Sequence, residues 1–265
     1  MEERGYDYAG HYPAMINRRL QSRCEAANTK NFTDYLAHLK ENPAEVDTLI
    51  DALTITVSMF FRNPLTWEFI AHQVLPSLCY TKLAGNNREF RVWSAGCATG
   101  EEPYSMAILL SELQSREAAG FETTIFATDQ EKKAIQFARK GIYDKASVKE
   151  VKLGILNKYF KQEEESYKLL PEIRQGVNFS QYDLLDPGNY APPESVFGTF
   201  DLILCRNVLI YYQPEYQEKI FNKLYRSLSA GGYLVLGEAE SLVGSYFNNF
   251  REINRLAKIF QKKPS

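Results

Sequence analysis

Apolar positions in the first third of the chain recur at helical spacing. Val46, Leu49, Ile50 and Leu53 stand at i, i+3, i+4 and i+7, which places one apolar stripe along a helix. The segments with this type of pattern are residues 12–27, 31–43, 44–55 and 65–78. We therefore predict an all-helical N-terminal domain with a linker over residues 1–75.

From Phe90 onward, short apolar runs alternate with helical segments. The run "TFDLILC" is apolar at almost every position, as is typical of a strand buried on both faces of a parallel sheet. The predicted strands are residues 90–95, 123–128, 177–184, 199–205 and 233–238, and residues 250–263 fit a closing antiparallel pair. The alternation predicts an α/β fold with a doubly wound parallel sheet.

One segment interrupts the alternation between Gly141 and Gly176. "KYFKQ", "SYKLL" and "EIRQG" are short extended candidates, and a polar "EEE" turn separates the first two. We predict a small antiparallel β subdomain at about residues 154–176. A loop that carries one helix is the alternative.

Composition excludes several classes of function. The 265 residues carry a net charge of −2, with 45% hydrophobic and 24% charged residues, so the chain is an ordinary globular protein without a global basic field for nucleic acid. Its apolar runs are too short to cross a bilayer and it opens with no signal peptide, so we expect a cytoplasmic protein. Four scattered cysteines and three unclustered histidines predict reduced thiols and no metal site.

A glycine-containing turn follows the first predicted strand. Gly96 and Gly100 would let the backbone approach a ligand closely, and the next helix begins with Glu101 and Glu102. Two acids at a helix N-terminus would repel a pyrophosphate but suit an ammonium or sulfonium group. The alternative is that both glutamates only favour the helix dipole.

Two aspartates stand at the ends of the next two predicted strands along the chain. Asp129 ends the second predicted strand and is placed to accept hydrogen bonds from ribose hydroxyls, and Asp183 could accept from an adenine amino group. Either could instead be a strand-end cap. Together with the glycine turn, they favour a nucleoside with a positively charged tail, a description that S-adenosylmethionine (AdoMet) fits.

Four motifs resemble one enzyme family. "ITVSMFFRNP", "WSAGCATGEEPYSMA", "CRNVLIYY" and "GGYLVLGEAESL" are similar to the chemotaxis receptor glutamate O-methyltransferases, the CheR family, and the match runs from about residue 15 to 260. The resemblance implies a class I, Rossmann-like AdoMet-binding domain over residues 76–265. It also implies a helical N-terminal domain and a small β insertion. The implied activity is methyl transfer from AdoMet to receptor glutamates in sensory adaptation, with S-adenosylhomocysteine (AdoHcy) as the product.

The resemblance also implies residue roles. Thr56, Ser58 and Arg62 would contact the methionine end of AdoMet. The other implied cofactor contacts are Glu102 at the amino group, Asp129 at the ribose, Asp183 and Leu184 at the adenine, Arg206 and Asn207 near the cofactor, and Tyr211 close to the transferred methyl.

The chain departs from the family pattern at four positions. Thr56, Ser58 and Asp183 replace the frequent Asn, Thr and Asn, and they keep hydrogen-bonding groups. Glu238 stands where many members have His, a change that bears on which protein is methylated.

A carboxylate acceptor needs no general base, because it is already ionised at neutral pH. Arg62 or Arg206 could orient it by paired hydrogen bonds, although Arg62 could equally anchor the cofactor's own carboxylate. Tyr211 has the alternative of being a core ring. Arg62 and Tyr211 are the candidate catalytic residues.

Three arginines on the first predicted helix form a basic stripe: Arg18, Arg19 and Arg23. Because receptor methylation helices are rich in glutamate, the stripe is a candidate docking face; a solvated helix face is the alternative. Monomer is the default oligomeric state. Two other functions stay open, an AdoMet methyltransferase with a different acceptor and a non-catalytic module that binds AdoMet or AdoHcy.

Overall fold

The chain forms two compact units. The computed structural model describes residues 8, 10–53, 58–117, 120–195 and 198–264. One unit comprises Met1–Thr56 and Tyr211–Tyr216, and the other comprises Val57–Ile210 and Gln217–Ser265. The division falls earlier than the boundary expected near residue 75. The reason is that Trp67, Ile70 and Leu75 pack into the core of the larger unit.

The smaller unit is helical, as predicted. Its helices are α1 (Pro13–Ala26), α2 (Phe32–Glu41) and α3 (Pro43–Leu53). Their apolar stripes meet in a core of Cys24, Tyr35, Leu49 and Leu53. Asn31 caps α2, because its side chain accepts a hydrogen bond from the Asp34 backbone N–H. Part of the chain far along the sequence joins this unit, where the Tyr12 N–H donates to the Tyr211 carbonyl over 3.0 Å.

The larger unit contains the remaining elements, except that the first three residues of its last helix are assigned to the smaller unit. Its helices are α4 (Pro64–Phe69), α5 (Leu75–Ala84), α6 (Glu101–Glu117), α7 (Lys132–Lys140), α8 (Leu153–Tyr159), α9 (Pro171–Gln175) and α10 (Pro214–Ser227), with a π-helical turn at Ile70–Val74. Its strands are β1 (Glu89–Ala95), β2 (Glu122–Asp129), β3 (Ile142–Asp144), β4 (Phe160–Glu163), β5 (Ser166–Leu169), β6 (Val177–Gln181), β7 (Phe200–Cys205), β8 (Leu228–Leu236), β9 (Phe250–Asn254) and β10 (Ile259–Lys262). Among the residues described, no helix is long and apolar enough to span a membrane.

Seven strands form one sheet, in the order β6-β2-β1-β7-β8-β10-β9. The first five are parallel, and β10 is antiparallel to both β8 and β9. This confirms the predicted doubly wound sheet and its closing antiparallel pair. Every residue of β7 is buried, as expected for an inner strand that helices cover on both faces. Because the parallel strands share a direction, their carboxyl ends meet at one edge.

The second sheet has three antiparallel strands in the order β3-β5-β4. The predicted insertion exists. Its first strand in chain order is β3, Ile142–Asp144, so the subdomain begins earlier than the predicted residue 154. The first four residues of "EIRQG" are helical rather than extended and lie in α9, which Gly176 follows. Pro171 explains the difference, since proline has no N–H for a strand ladder and suits the first turn of a helix.

Candidate functional site

Four parallel strands deliver the predicted ligand residues to one edge of the sheet. Asp183 follows β6, Asp129 ends β2, the glycine turn follows β1, and Arg206 follows β7. Since these strands are neighbours in the order β6-β2-β1-β7, the four features lie along the edge in that same sequence. The edge therefore presents two acids, then a close-approach turn, then a cation.

The turn after β1 requires glycine at its first position. Gly96 has φ +81°, and a Cβ there would lie 2.4 Å from Cγ2 of Val208. The N–H groups of Gly96 and Cys97 both donate to the Thr128 carbonyl, over 2.8 and 2.9 Å. The turn is thus pinned between the ends of β2 and β7, and a side chain at residue 96 would separate them.

Asp129 supports the same turn. One carboxylate oxygen accepts the Ala98 N–H over 2.8 Å, and the other accepts the Glu131 N–H over 2.9 Å. Burial raises the pKa of this carboxyl group. The Gln130 backbone also hydrogen-bonds to this carboxylate. A carboxylate offers about four lone-pair sites, so the residue can still accept a hydroxyl hydrogen bond from a ribose.

The two glutamates at the start of α6 differ in their contacts. Glu101 accepts the Thr99 hydroxyl at 2.7 Å and also hydrogen-bonds to the Ser58 side chain. Glu102 accepts the Ser94 hydroxyl at 2.8 Å and faces Arg206. Burial raises the pKa of both carboxyl groups. Ser58 therefore contacts Glu101. The sequence alone did not show that Glu101 and Glu102 have different partners.

Arg206 is a buried cation. Its side chain is 2% exposed, and Nη1 lies 3.5 Å from Oε2 of Glu102. Nη2 donates to the Arg62 carbonyl over 2.9 Å and to Oδ1 of Asn63 over 3.0 Å. The guanidinium stands 5.5 Å from the ring centre of Trp67. Its Nε has no hydrogen-bond partner among the described residues, and an unsatisfied buried donor of this kind calls for an acceptor.

The segment before α4 brings a second cation to Arg206. Phe61 and Asn63 both adopt left-handed backbone conformations, and the Arg62 carbonyl accepts the Trp67 indole N–H over 3.0 Å. Burial, and also the charge of Arg62, lower the pKa of Arg206. Two neighbouring guanidinium groups suit a bound carboxylate.

The loop after β6 is tied to α10 by a lysine that sequence reasoning missed. Nζ of Lys223 donates to the Asp186 carbonyl over 2.7 Å and approaches the Asp183 carbonyl at 3.5 Å. It also lies 4.7 Å from the ring centre of Tyr182. Burial lowers the pKa of Lys223 to about 8. Asp183 accepts the Leu185 N–H over 2.8 Å, and Leu184 is buried.

Glu240 is a second residue that the sequence did not single out. It is buried, and its carboxylate accepts five backbone N–H groups. The donors are Asn207, Val208, Leu209, Ile210 and Gly237. Glu238 and Glu240 both follow β8, and no feature of the sequence shows which of them is buried. In the structure Glu238 is exposed.

The smaller unit carries some of the predicted site residues. Thr56 is not among the described residues. Tyr211 belongs to the smaller unit. Of the three arginines of the predicted docking stripe, only Arg18 is exposed.

The other two arginines of the stripe have partners within the smaller unit. Arg19 donates to the Ala52 carbonyl. Arg23 binds both carboxylate oxygens of Glu45 over 2.8 and 2.9 Å. The docking role of the stripe stays a prediction.

Comparison with known proteins gives the family context. Residues 1–54 match the model of the CheR methyltransferase all-alpha domain, and residues 56–258 match that of the CheR methyltransferase SAM binding domain. The chain is 33% identical over 90% of its length to a chemotaxis protein methyltransferase of Listeria monocytogenes, of which it covers 86%. It is 31% identical over 87% of its length to one of Borreliella burgdorferi, of which it covers 81%. It also matches, at 33% identity over 89% of its length, 24% of an uncharacterized 104.1 kDa protein of Rhodobacter capsulatus.

Proposed function

Because the chain belongs to the CheR family of chemotaxis methyltransferases, we propose that it methylates glutamate side chains of chemoreceptor cytoplasmic domains. The methyl donor is AdoMet, and the products are glutamate methyl esters and AdoHcy. The protein would act in the cytoplasm, as a monomer, in the sensory adaptation of a chemotaxis-type system.

The buried pair of Glu102 and Arg206 is the observation that carries the proposal. AdoMet ends in an amino acid, with an ammonium and a carboxylate on one carbon. Glu102 offers a carboxylate to the ammonium, and the unpartnered Nε of Arg206 offers a donor to a carboxylate. Two opposite charges side by side, both largely withdrawn from water, fit that zwitterion.

The residues farther along the sheet edge would hold the rest of the cofactor. Asp129 would bind the ribose, and Asp183 with Leu184 would border the adenine. Gly96 would allow close approach of the backbone, and Ser58 and Asn207 would complete the methionine end together with Thr56. The order of strands β6-β2-β1-β7 along the sheet supports this assignment for Asp183, Asp129 and Gly96.

The chemistry asks little of the protein beyond positioning. AdoMet supplies a methyl group on a sulfonium, which is already activated for transfer. The acceptor carboxylate is ionised at neutral pH and needs no general base. The protein must place a carboxylate oxygen in line with the methyl and exclude water. Arg62 and Arg206 supply guanidinium groups that can orient a carboxylate, and Tyr211 would lie beside the methyl.

Recognition of the receptor would use opposite charge. Arg18, Arg19 and Arg23 would face the glutamates of receptor methylation helices. Arg18 is the member of the three best able to do so, because Arg19 and Arg23 also bind groups of their own unit.

The test is transfer of labelled methyl from AdoMet to purified receptor cytoplasmic fragments by the full chain. The proposal predicts label on wild-type fragments and none on fragments whose methylation-site glutamates are replaced by alanine. A Glu102→Gln variant of the enzyme controls for contaminating activity and should transfer much more slowly. Equal label on both fragments would exclude those glutamates as acceptors, and AdoHcy binding without any transfer would favour a non-catalytic module.

A further inference from the structure

Glu240 connects two loops at the methionine end of the cofactor site. Oε1 accepts the N–H groups of Val208, Leu209 and Ile210 over 2.8, 2.7 and 3.3 Å. Oε2 accepts those of Asn207 and Gly237 over 2.9 and 2.6 Å. One buried carboxylate therefore satisfies the first four N–H groups after Arg206, and it also fastens them to the loop that follows β8.

These hydrogen bonds hold the backbone that directly follows Arg206, beginning with Asn207. Asn207 has φ +59°, a left-handed conformation that is unfavourable for a residue with a β-carbon. The hydrogen bonds from the Asn207 and Val208 N–H groups to Glu240 hold it in this conformation. Val208, one residue on, abuts Gly96 of the glycine turn. The charge of Glu240 also raises the pKa of Arg206, opposing the effect of burial.

We infer that Glu240 is a positioning residue for the methyltransferase site, one that fixes the loop carrying Arg206 and Asn207 and thereby the methionine end of the bound cofactor. The inference rests on AdoMet binding and on the proposed placement of the methionine end at Arg206. It does not depend on which carboxylate accepts the methyl. Among the described residues, none of the N–H groups that Glu240 accepts belongs to Asp129 or Asp183, at the adenosine end.

Glu240→Gln tests the inference in the full-length protein. Whichever way the amide is turned, its NH2 group meets at least two backbone N–H groups, so the loop must shift. We expect the Kd of AdoHcy to rise by about tenfold or more, while the Kd of adenosine changes by less than about twofold. Calorimetry measures both constants, and circular dichroism confirms that the variant is folded. Glu252→Gln, which removes an exposed carboxylate of β9, is the matched control and should leave both constants unchanged.

A second variant acts on the same contact without removing the carboxylate. A Cβ at residue 237 would lie 2.7 Å from both the Asn207 nitrogen and Oε2 of Glu240, so Gly237→Ala should give the same loss of AdoHcy binding with adenosine binding retained. Equal loss of AdoHcy and adenosine would assign Glu240 a general structural role and overturn the inference. Wild-type AdoHcy affinity in Glu240→Gln would overturn it too, as would failure of both variants to fold. Failure of receptor methylation alone would contradict the proposed acceptor and leave this result intact.

Discussion

Nη1 of Arg206 lies 3.5 Å from Oε2 of Glu102, and the two side chains are only 2% and 12% exposed. Removing two charges from water is costly, and their mutual attraction does not by itself justify the cost. A ligand that carries an ammonium and a carboxylate offsets this desolvation cost, because Glu102 and Arg206 each gain a second partner of opposite charge. The pair therefore links the stability of this region to cofactor binding.

Removing Arg206 or Glu102 should lower both the stability of the chain and its affinity for AdoHcy. We expect Arg206→Met to lower the free energy of unfolding by about 3 kcal/mol, because Glu102 is left buried without its cation. Urea denaturation of the full chain measures the change. Arg206→Met combined with Glu102→Gln should recover part of the stability and none of the AdoHcy affinity. If the double variant is less stable than the single one, the charge coupling is contradicted.

Stability above neutral pH should report on Lys223. Its pKa is about 8 in the folded chain, against 10.5 for an ordinary lysine. Between these values the unfolded state holds a proton that the folded state has lost, so the free energy of unfolding rises with pH. Replacing the residue by methionine removes this contribution.

The difference between wild type and Lys223→Met isolates the lysine from other titrating groups. We expect the wild type to gain stability relative to Lys223→Met as pH rises from about 7 to about 10, as measured by urea denaturation at each pH. Lys219→Met, at an exposed position of the same helix, should stay parallel to the wild type. Curves that stay parallel for Lys223→Met would contradict a lowered pKa.

Alanine substitutions at Gly96 and Gly231 distinguish the cost of backbone strain from the cost of a steric clash. Both have positive φ, +81° and +75°, but a Cβ at Gly231 meets nothing within 4 Å. We expect Gly231→Ala to cost about 1–2 kcal/mol of unfolding free energy. Gly96→Ala should cost about 3 kcal/mol or more and abolish AdoHcy binding, since Val208 must move. Similar costs, with AdoHcy binding retained in both variants, would show that the turn tolerates a side chain.

The basic stripe of α1 divides into an exposed and an engaged part. Reversing the charge at Arg18 should change the unfolding free energy by less than about 0.5 kcal/mol. It should also slow receptor methylation and reduce the dependence of its rate on salt. Arg23→Gln should instead destabilise the chain by about 2 kcal/mol, because Glu45 loses its three hydrogen bonds to the guanidinium. An unchanged rate and salt dependence for Arg18→Glu would remove Arg18 from the docking surface.

Local pattern was sufficient to predict the sheet and the strand ends at which the candidate site residues lie. The apolar run of β7 and the helical spacing of α3 could be recognised because both elements bury side chains that are close together in the sequence. Burial of this kind gives a short repeat of apolar residues, which can be read directly from the sequence. Asp129 and Asp183 could be singled out because each stands at the end of a predicted strand, and parallel strands end together.

Contacts between distant segments could not be predicted in the same way. Glu240 binds N–H groups some 30 positions earlier, and Lys223 binds carbonyl groups about 40 positions earlier. Neither contact leaves a periodic trace. The prediction that "EIRQG" is extended was wrong, because Pro171 directly before it favours the start of a helix.

The most direct test of the central claim is the alkali lability of the transferred methyl group. After transfer from labelled AdoMet to receptor fragments, mild alkali hydrolyses carboxyl methyl esters and releases volatile methanol, whereas N-methyl groups stay on the protein. Glutamate methylation predicts that nearly all of the label becomes volatile. Label that survives alkali on the receptor would contradict the proposed reaction.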